Sequence, residues 1–459
     1  VVQTSFPKDK IRVLLLEKIH PEADAVFAQE RFSVARVDRA LTGDELVRAA
    51  SGERVDGLRE VSGSHAVGNG GSGGGGGNGG GGGGGGPVHI VGIRSASQLR
   101  GADLARLPRL LAVGCFCIGT NQVDLRSANL AGVPVFNSPF CNTRSVAELT
   151  VAEVIALQRG LLTKSSQMHR GQWDKSASGS HEVRGRTLGI VGYGRIGSQV
   201  SILAEALGMR VVYFDVAPVL PLGNARACRT LEELLSQSDV VSLHVPATKA
   251  TQNLVSSRLI GLMKPGALLI NNARGSVVDL GALAEALKSG KVGGAALDVF
   301  PDEPSSNDEV FRSPVCGLDN VILTPHIAGS TVEAQQAIAA DVSGKLVRYI
   351  NNGSTTGAVN VPQVELPEQW AEGPEGETHD GAGTRIRRHR ILNFHKNVPG
   401  VLSKMNSVIS AMGANIAAEY LQTNAEVGYV VLDVDPTDAE PIMAQLKQIP
   451  ETIRVRMLW

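Results

Sequence analysis

At 459 residues the chain is too long for one hydrophobic core and calls for about three domains. Charged residues make up 19% and hydrophobic ones 42%, and the net charge is −1. That balance fits a globular protein and excludes the strong basic field that draws a whole molecule to nucleic acid or to an anionic membrane. The five cysteines (Cys115, Cys117, Cys141, Cys228, Cys316) are scattered and odd in number, as expected of reduced thiols in the cytoplasm rather than of a disulfide framework. Cys115 and Cys117 are too close together for a zinc knuckle and no second pair follows, so no metal is expected. No apolar run approaches the ~18 residues of a membrane span, and residues 1–10 do not read as a secretory signal.

The N-terminal part alternates strands with helices. Residues 11–16 are a buried strand and 21–30 a helix; 88–93 and 110–114 are strands flanking a helix at 99–107, and 133–136 is a further short strand. Such alternation predicts a parallel sheet. It is interrupted by an insertion at 61–86, where 15 of the 17 residues from 70 to 86 are glycine. Without side chains to bury, this stretch is expected to be a disordered surface loop, tolerated because closure entropy grows slowly with loop length. Residues 148–170, with Leu149, Ala152, Val154, Ile155, Leu157 and Leu161, predict one long helix bridging two domains.

The sharpest motif is the segment 186–197, RTLGIVGYGRIG. A lone GxGxxG says little, but here an apolar strand precedes it and Ile196, Val200, Leu203 and Leu207 follow at helical spacing. Gly192 permits the tight turn, Gly194 lets a pyrophosphate reach the backbone, and Gly197 lets helix and strand pack closely. The helix N-terminus offers unpaired N–H groups to the phosphates. The next strand, 211–214, ends at Asp215, 18 residues past Gly197. A carboxylate there accepts from both ribose hydroxyls and repels a 2′-phosphate, so the expected cofactor is NAD rather than NADP.

Three strand ends downstream carry reactive side chains, and strand carboxyl ends are where open α/β sheets bind ligands. The first ends at Arg274, whose forked donors suit a substrate carboxylate. The second, 296–304, is loaded with carboxylates, including Asp298 and Glu303. The third carries His326 after a Thr-Pro turn. Oxidising an alcohol by hydride transfer requires removal of the hydroxyl proton, a task for which histidine is the natural group. Glu303 is the carboxylate expected to favour the protonated ring and fix its tautomer.

Residues 366–383, rich in Glu, Pro and Gly, read as an interdomain linker. After it come a strand at 387–395, a helix at 401–412, strands near 415–422 and 428–435, a helix near 439–449 and a strand at 452–458. This is the ferredoxin-like order.

The residues now on the page resemble the D-isomer-specific 2-hydroxyacid dehydrogenases. The matches are 262–279, VGCFCIGTNQVD at 113–124, NTRSVAE at 142–148 and LTPHIAGST at 323–331. The resemblance is closest to the branch that oxidises 3-phosphoglycerate and carries a C-terminal ACT domain, and it spans nearly everything except the glycine insertion and the linker. It implies Arg274 as substrate clamp, Glu303 as modulator and His326 as acid and base. It implies NAD contacts at Arg195, Ile196, Asp215, Asn272, Ala273, Arg274, Asp298, His326 and Gly329, and substrate contacts at Arg94, Ser95 and Asn142. Arg144 and Lys175 are further cations expected to draw in a phosphorylated substrate. Arg59, in a Gly-Leu-Arg segment like that ending at Arg94, is a rival, and the spacing to Gly114 favours Arg94. In the ACT unit, His395, Asn397 and Asn415 match positions that bind L-serine between subunits.

The sequence differs from the family pattern at Ala328, where related enzymes often have glycine, which is expected to stiffen a hinge between domains, and in its long linker, which is expected to loosen coupling from the serine site to catalysis. The expected architecture is two doubly wound α/β domains plus a ferredoxin-like ACT domain. Residues 1–141 and 329–366 make the flavodoxin-like substrate domain, 142–328 the Rossmann domain, 367–383 the linker and 384–459 the ACT domain. The expected reaction is oxidation of 3-phospho-D-glycerate with NAD, the first step of serine synthesis, by a serine-regulated cytoplasmic homotetramer. Rival readings are a reductase of another 2-oxo acid, such as 2-oxoglutarate or glyoxylate, and a non-catalytic NAD-sensing corepressor.

Overall fold

A computed structural model describes residues 7–61, 86–304, 308–367, 388–435 and 439–458. The glycine-rich insertion, apart from Val61 and Gly86, and the linker beyond Pro367 lie outside the described residues. Two compact units emerge: Val1–Pro139 with Gln336–Trp459, and Phe140–Gln335.

In the first unit six strands lie in the order Arg59–Val61, Ser33–Val37, Arg12–Leu16, Ile90–Ile93, Ala112–Cys115, Val135–Asn137. All pairings are parallel except at the Arg59–Val61 edge, which runs antiparallel. Without that edge strand the order is the flavodoxin-like one. Strands such as Ile90–Ile93 are buried throughout, which is why they read as unbroken apolar runs. The sequence reading passed over Ser33–Val37, the helix Gly43–Ala50 and the short edge strand. The first contains a buried Arg36, ion-paired to Asp24 at 3.0 Å, and that charge masked an otherwise apolar strand. Arg59, the rival anion contact, lies on the edge strand and is taken up by Asp38, at 3.1 and 3.2 Å.

The second unit carries a seven-stranded parallel sheet. Its order is Val321–Leu323, Val292–Leu297, Ala267–Asn271, Val240–Leu243, Thr187–Val191, Arg210–Phe214, Arg226–Ala227. The strand order therefore reverses beside Thr187–Val191, the strand that leads into the glycine motif. The single helix expected over 148–170 is two helices, Thr143–Arg159 and Leu161–His169. They are broken at Gly160, whose φ of +56° gives the first a left-handed C-terminal stop.

The C-terminal residues form a four-stranded antiparallel sheet ordered Ile416–Thr423, Val427–Val434, His389–Lys396, Thr452–Leu458. One face packs on the helices Val401–Ala411 and Ala439–Gln448 through Ile391, Val430 and Leu432. The other face seats directly on the first unit's α/β layers. The buried Arg390 pairs with Asp433 at 2.7 Å and also donates to the carbonyls of Asn352 and Pro367. Tyr429 Oη donates to the Gly353 carbonyl at 2.6 Å, and Phe394 lies over Gly132. No helix among the described residues is long and apolar enough to cross a membrane.

Candidate active site

The three glycines of the motif serve three different needs. Gly192 has φ +91°, and a Cβ there would meet the His244 carbonyl oxygen at 2.6 Å. Its N–H donates to the Phe214 carbonyl at 2.9 Å, tying the turn to the next strand. A Cβ on Gly197 would sit inside the Gly192 carbonyl oxygen, so helix Arg195–Ala206 can close on the turn only with glycine there. A Cβ on Gly194 meets nothing within 4 Å, so the structure itself does not demand glycine at that position. The space is what a pyrophosphate needs to approach the backbone and the helix N-terminus.

Asp215 follows the strand Arg210–Phe214. Its Oδ2 accepts from the Tyr193 N–H at 2.7 Å and its Oδ1 from the Ala217 N–H at 2.9 Å. Each oxygen keeps a lone-pair site for a ribose hydroxyl. Arg195, exposed at the helix start, stacks on the Phe140 ring at 3.8 Å from its centroid, while Ile196 is half-buried behind it. These residues fit NAD.

His326 Nδ1 lies 2.8 Å from Glu303 Oε2, and Glu303 Oε1 accepts from the Phe300 N–H at 3.1 Å. The carboxylate is thus fixed by backbone and in turn fixes the ring. His326 has φ +55°, a left-handed conformation uncommon outside glycine. The surrounding loop enforces it. Asp298, fully buried, accepts from Thr324 Oγ1 at 2.6 Å and from the N–H groups of Ile327 and Ala328 at 2.8 Å each. The His326 N–H donates to the Asp298 carbonyl at 2.8 Å. Ala328 is buried and its φ is not positive, so its backbone does not require glycine.

Arg274 is exposed just past strand Ala267–Asn271, with one guanidinium nitrogen donating to the Ala273 carbonyl at 2.7 Å. Asn271 Nδ2 donates to the Arg274 carbonyl at 3.0 Å. At Gly275 the chain passes so close to the Phe300–Pro301 backbone that no Cβ could be accommodated. The Arg274 turn and the segment leading to Glu303 are therefore packed against each other. Gly329 plays the same part beside Asn142, whose amide nitrogen occupies the place of a Cβ.

Asn272 is anchored by Glu153, a residue that the sequence does not single out. Asn272 Nδ2 donates to Thr150 Oγ1 at 3.1 Å and Glu153 Oε2 at 2.7 Å. Both partners lie on the buried stripe of helix Thr143–Arg159, together with Val146, Ala147 and Val154. Burial pushes the Glu153 carboxyl up to about 7, against the Asn272 hydrogen bond and with help from Asp298. Glu153 Oε1 and the side-chain Oδ1 atoms of Asn142 and Asn272 are buried without partners among the described residues. A carboxylate inside an apolar helical stripe was the available signal. Arg144 is engaged by Glu148 at 2.6 Å, while Lys175 is exposed. Arg94 and Ser95 lie in the first unit, on the loop after strand Ile90–Ile93.

Residues 151–328 match the model of the D-isomer specific 2-hydroxyacid dehydrogenase NAD binding domain, and residues 391–454 that of an AHAS small subunit-like ACT domain. The chain is 48% identical to D-3-phosphoglycerate dehydrogenase of Haemophilus influenzae, covering 100% of this chain and 99% of that one. The chain belongs to the D-3-phosphoglycerate dehydrogenase family. The Escherichia coli relative of that name is 44% identical, with 100% of both chains covered. A D-lactate dehydrogenase of Aquifex aeolicus, solved with NAD and lactic acid, superposes with a TM-score of 0.56 at 26% identity, covering 74% of this chain and 96% of that one. As a member of this family the protein is an NAD-dependent oxidoreductase.

Proposed function

We propose that the enzyme oxidises 3-phospho-D-glycerate to 3-phosphooxypyruvate with NAD, opening the route to L-serine. The observation that carries this reading is the His326–Glu303 pair at 2.8 Å, in a chain matched end to end by phosphoglycerate dehydrogenases. A bound NAD, held by the glycine motif and Asp215, would supply the hydride acceptor for the substrate's C2. His326 Nε2, left free by the Nδ1 contact, takes the hydroxyl proton, and Glu303 stabilises the imidazolium that forms. Arg274 holds the substrate carboxylate as a bidentate fork. Arg94, Ser95 and Asn142 complete substrate binding. The remaining cofactor contacts come from Asn272, Ala273, Asp298 and Gly329. NADH formation with 3-phosphoglycerate, set against reduction of 2-oxoglutarate and glyoxylate, tests the reading. Its absence with 3-phosphoglycerate, beside turnover of another 2-oxo acid, would replace the substrate.

L-Serine is the proposed effector of a homotetramer, bound between ACT domains of two copies. His395 is level with Gly428 in the sheet, whereas Asn415 accepts from the N–H of Asp435. Seven residues of strand separate the two levels, about 23 Å at ~3.3 Å per residue. His395 and Asn397 therefore cannot share a serine-sized ligand with Asn415 of the same chain. His395 is buried in the sheet, its ring filling the space beside Gly428. Titrating L-serine into the NADH assay tests the effector, and a flat response would remove it. The five free cysteines accord with a reducing, cytoplasmic location.

A further inference from the structure

The first strand, Arg12–Leu16, runs into two consecutive non-glycine residues with left-handed backbone, Glu17 at φ +62° and Lys18 at φ +51°. Such conformations are strained and persist only where the surroundings enforce them. The enforcing contacts of Glu17 come from the loop after the neighbouring strand Ile90–Ile93. Its Oε1 accepts from the N–H groups of Arg94 at 3.1 Å and Ser97 at 2.7 Å, and its Oε2 from that of Ala96 at 2.9 Å. One carboxylate thus gathers three of the four amides from 94 to 97. The loop is gripped from elsewhere as well. The buried Gln122 donates to the Arg94 carbonyl at 2.6 Å, and Ser97 Oγ accepts from the Leu41 N–H at 3.1 Å.

We propose that Glu17 is a positioning residue for substrate binding: its carboxylate fixes the backbone that carries Arg94 and Ser95. The proposal rests on the reading of those two residues as substrate contacts. Charge alone argues the other way. A carboxylate close to an anion-binding loop repels the anion, so removing it on electrostatic grounds would tighten substrate binding. Retaining it there makes sense because its two oxygens organise three donors that no neutral side chain can organise equally well. Glutamine keeps one oxygen but turns an NH2 group toward N–H donors.

The test uses the full-length enzyme with the variants Glu17→Gln, Glu17→Asp and Arg94→Ala. Glu17→Gln is expected to raise KM for 3-phosphoglycerate about tenfold or more, because hydrogen bonds to a charged acceptor are lost. kcat should stay within about threefold, and KM for NAD should not change. Glu17→Asp keeps the charge but falls one methylene short, and is expected to raise KM likewise. In an Arg94→Ala background Glu17→Gln should add less than about threefold, since the two substitutions act through one loop. Amide hydrogen exchange over residues 94–97 should quicken in Glu17→Gln. A KM that falls or holds in both Glu17 variants, while Arg94→Ala raises it, overturns the proposal and leaves the Arg94 reading standing. Unchanged exchange also overturns it. If Arg94→Ala itself leaves KM untouched, the substrate reading of the loop is what failed, and the role of Glu17 falls with it. A fold defect alone would lower kcat, NAD affinity and melting temperature together.

Discussion

Replacing Glu153 by glutamine should stabilise the protein at pH 8 and do little at pH 5. Glu153 is 3% exposed, and burial pushes its carboxyl from 4.5 to about 7. Between those two values the folded protein holds a proton that the unfolded chain has released. Stability from this group is therefore fully present below about pH 4.5 and lost as pH rises through 7. At 1.36 kcal/mol for each tenfold change, a rise from 4.5 to about 7 means that the ionised group costs the fold about 3 kcal/mol above pH 7. Glutamine is neutral at every pH and keeps the oxygen that accepts from Asn272. For a unit of this size about 2–4 °C accompanies each kcal/mol, so the variant should melt roughly 6–12 °C higher at pH 8. At pH 5 the gain should be under about 1 kcal/mol. Thermal melting of wild type and Glu153→Gln across pH 5–8 makes the measurement. A difference that is constant with pH, or a variant less stable at pH 8, would refute the assignment of an ionisable, desolvated carboxylate beside Asn272.

Other substitutions probe the chemistry and the cofactor cradle. His326→Ala should lower kcat by about 10²-fold or more; near wild-type turnover would place proton transfer elsewhere. Gly194→Ala should melt like wild type yet bind NADH weakly, because its methyl enters space that no protein atom occupies. Gly197→Ala should lose both stability and binding, because its methyl meets the Gly192 carbonyl; calorimetry and NADH fluorescence titration separate the two cases. Asp215→Ala should narrow the preference for NAD over NADP, read as the ratio of kcat/KM values, and an unaltered ratio would remove the ribose role of Asp215.

Local chemistry is what the linear sequence determined here. The glycine spacing at 192, 194 and 197 with Asp215 beyond it announced a dinucleotide cradle, because each position meets a steric or electrostatic demand set within one βαβ unit. Arg274, Glu303 and His326 were legible for a related reason: each follows an apolar strand, and parallel strands put their carboxyl ends on one edge. The ferredoxin-like unit was legible from its strand and helix periodicity. The tertiary structure alone decided the rest, because those contacts join residues far apart in sequence. Glu17 reads as a turn residue until a strand 73 residues later, beginning at Ile90, places three N–H groups around it. Glu153 reads as a helix residue until Asn272 reaches it across 119 positions. The break at Gly160 was hidden because a glycine inside a helical pattern fits either a continuous helix or a stop, and the left-handed backbone decided for the stop. Asp298 changed most in meaning. In the sequence it is one carboxylate among several at a strand end; in the fold it is the buried acceptor that holds His326 in its left-handed conformation.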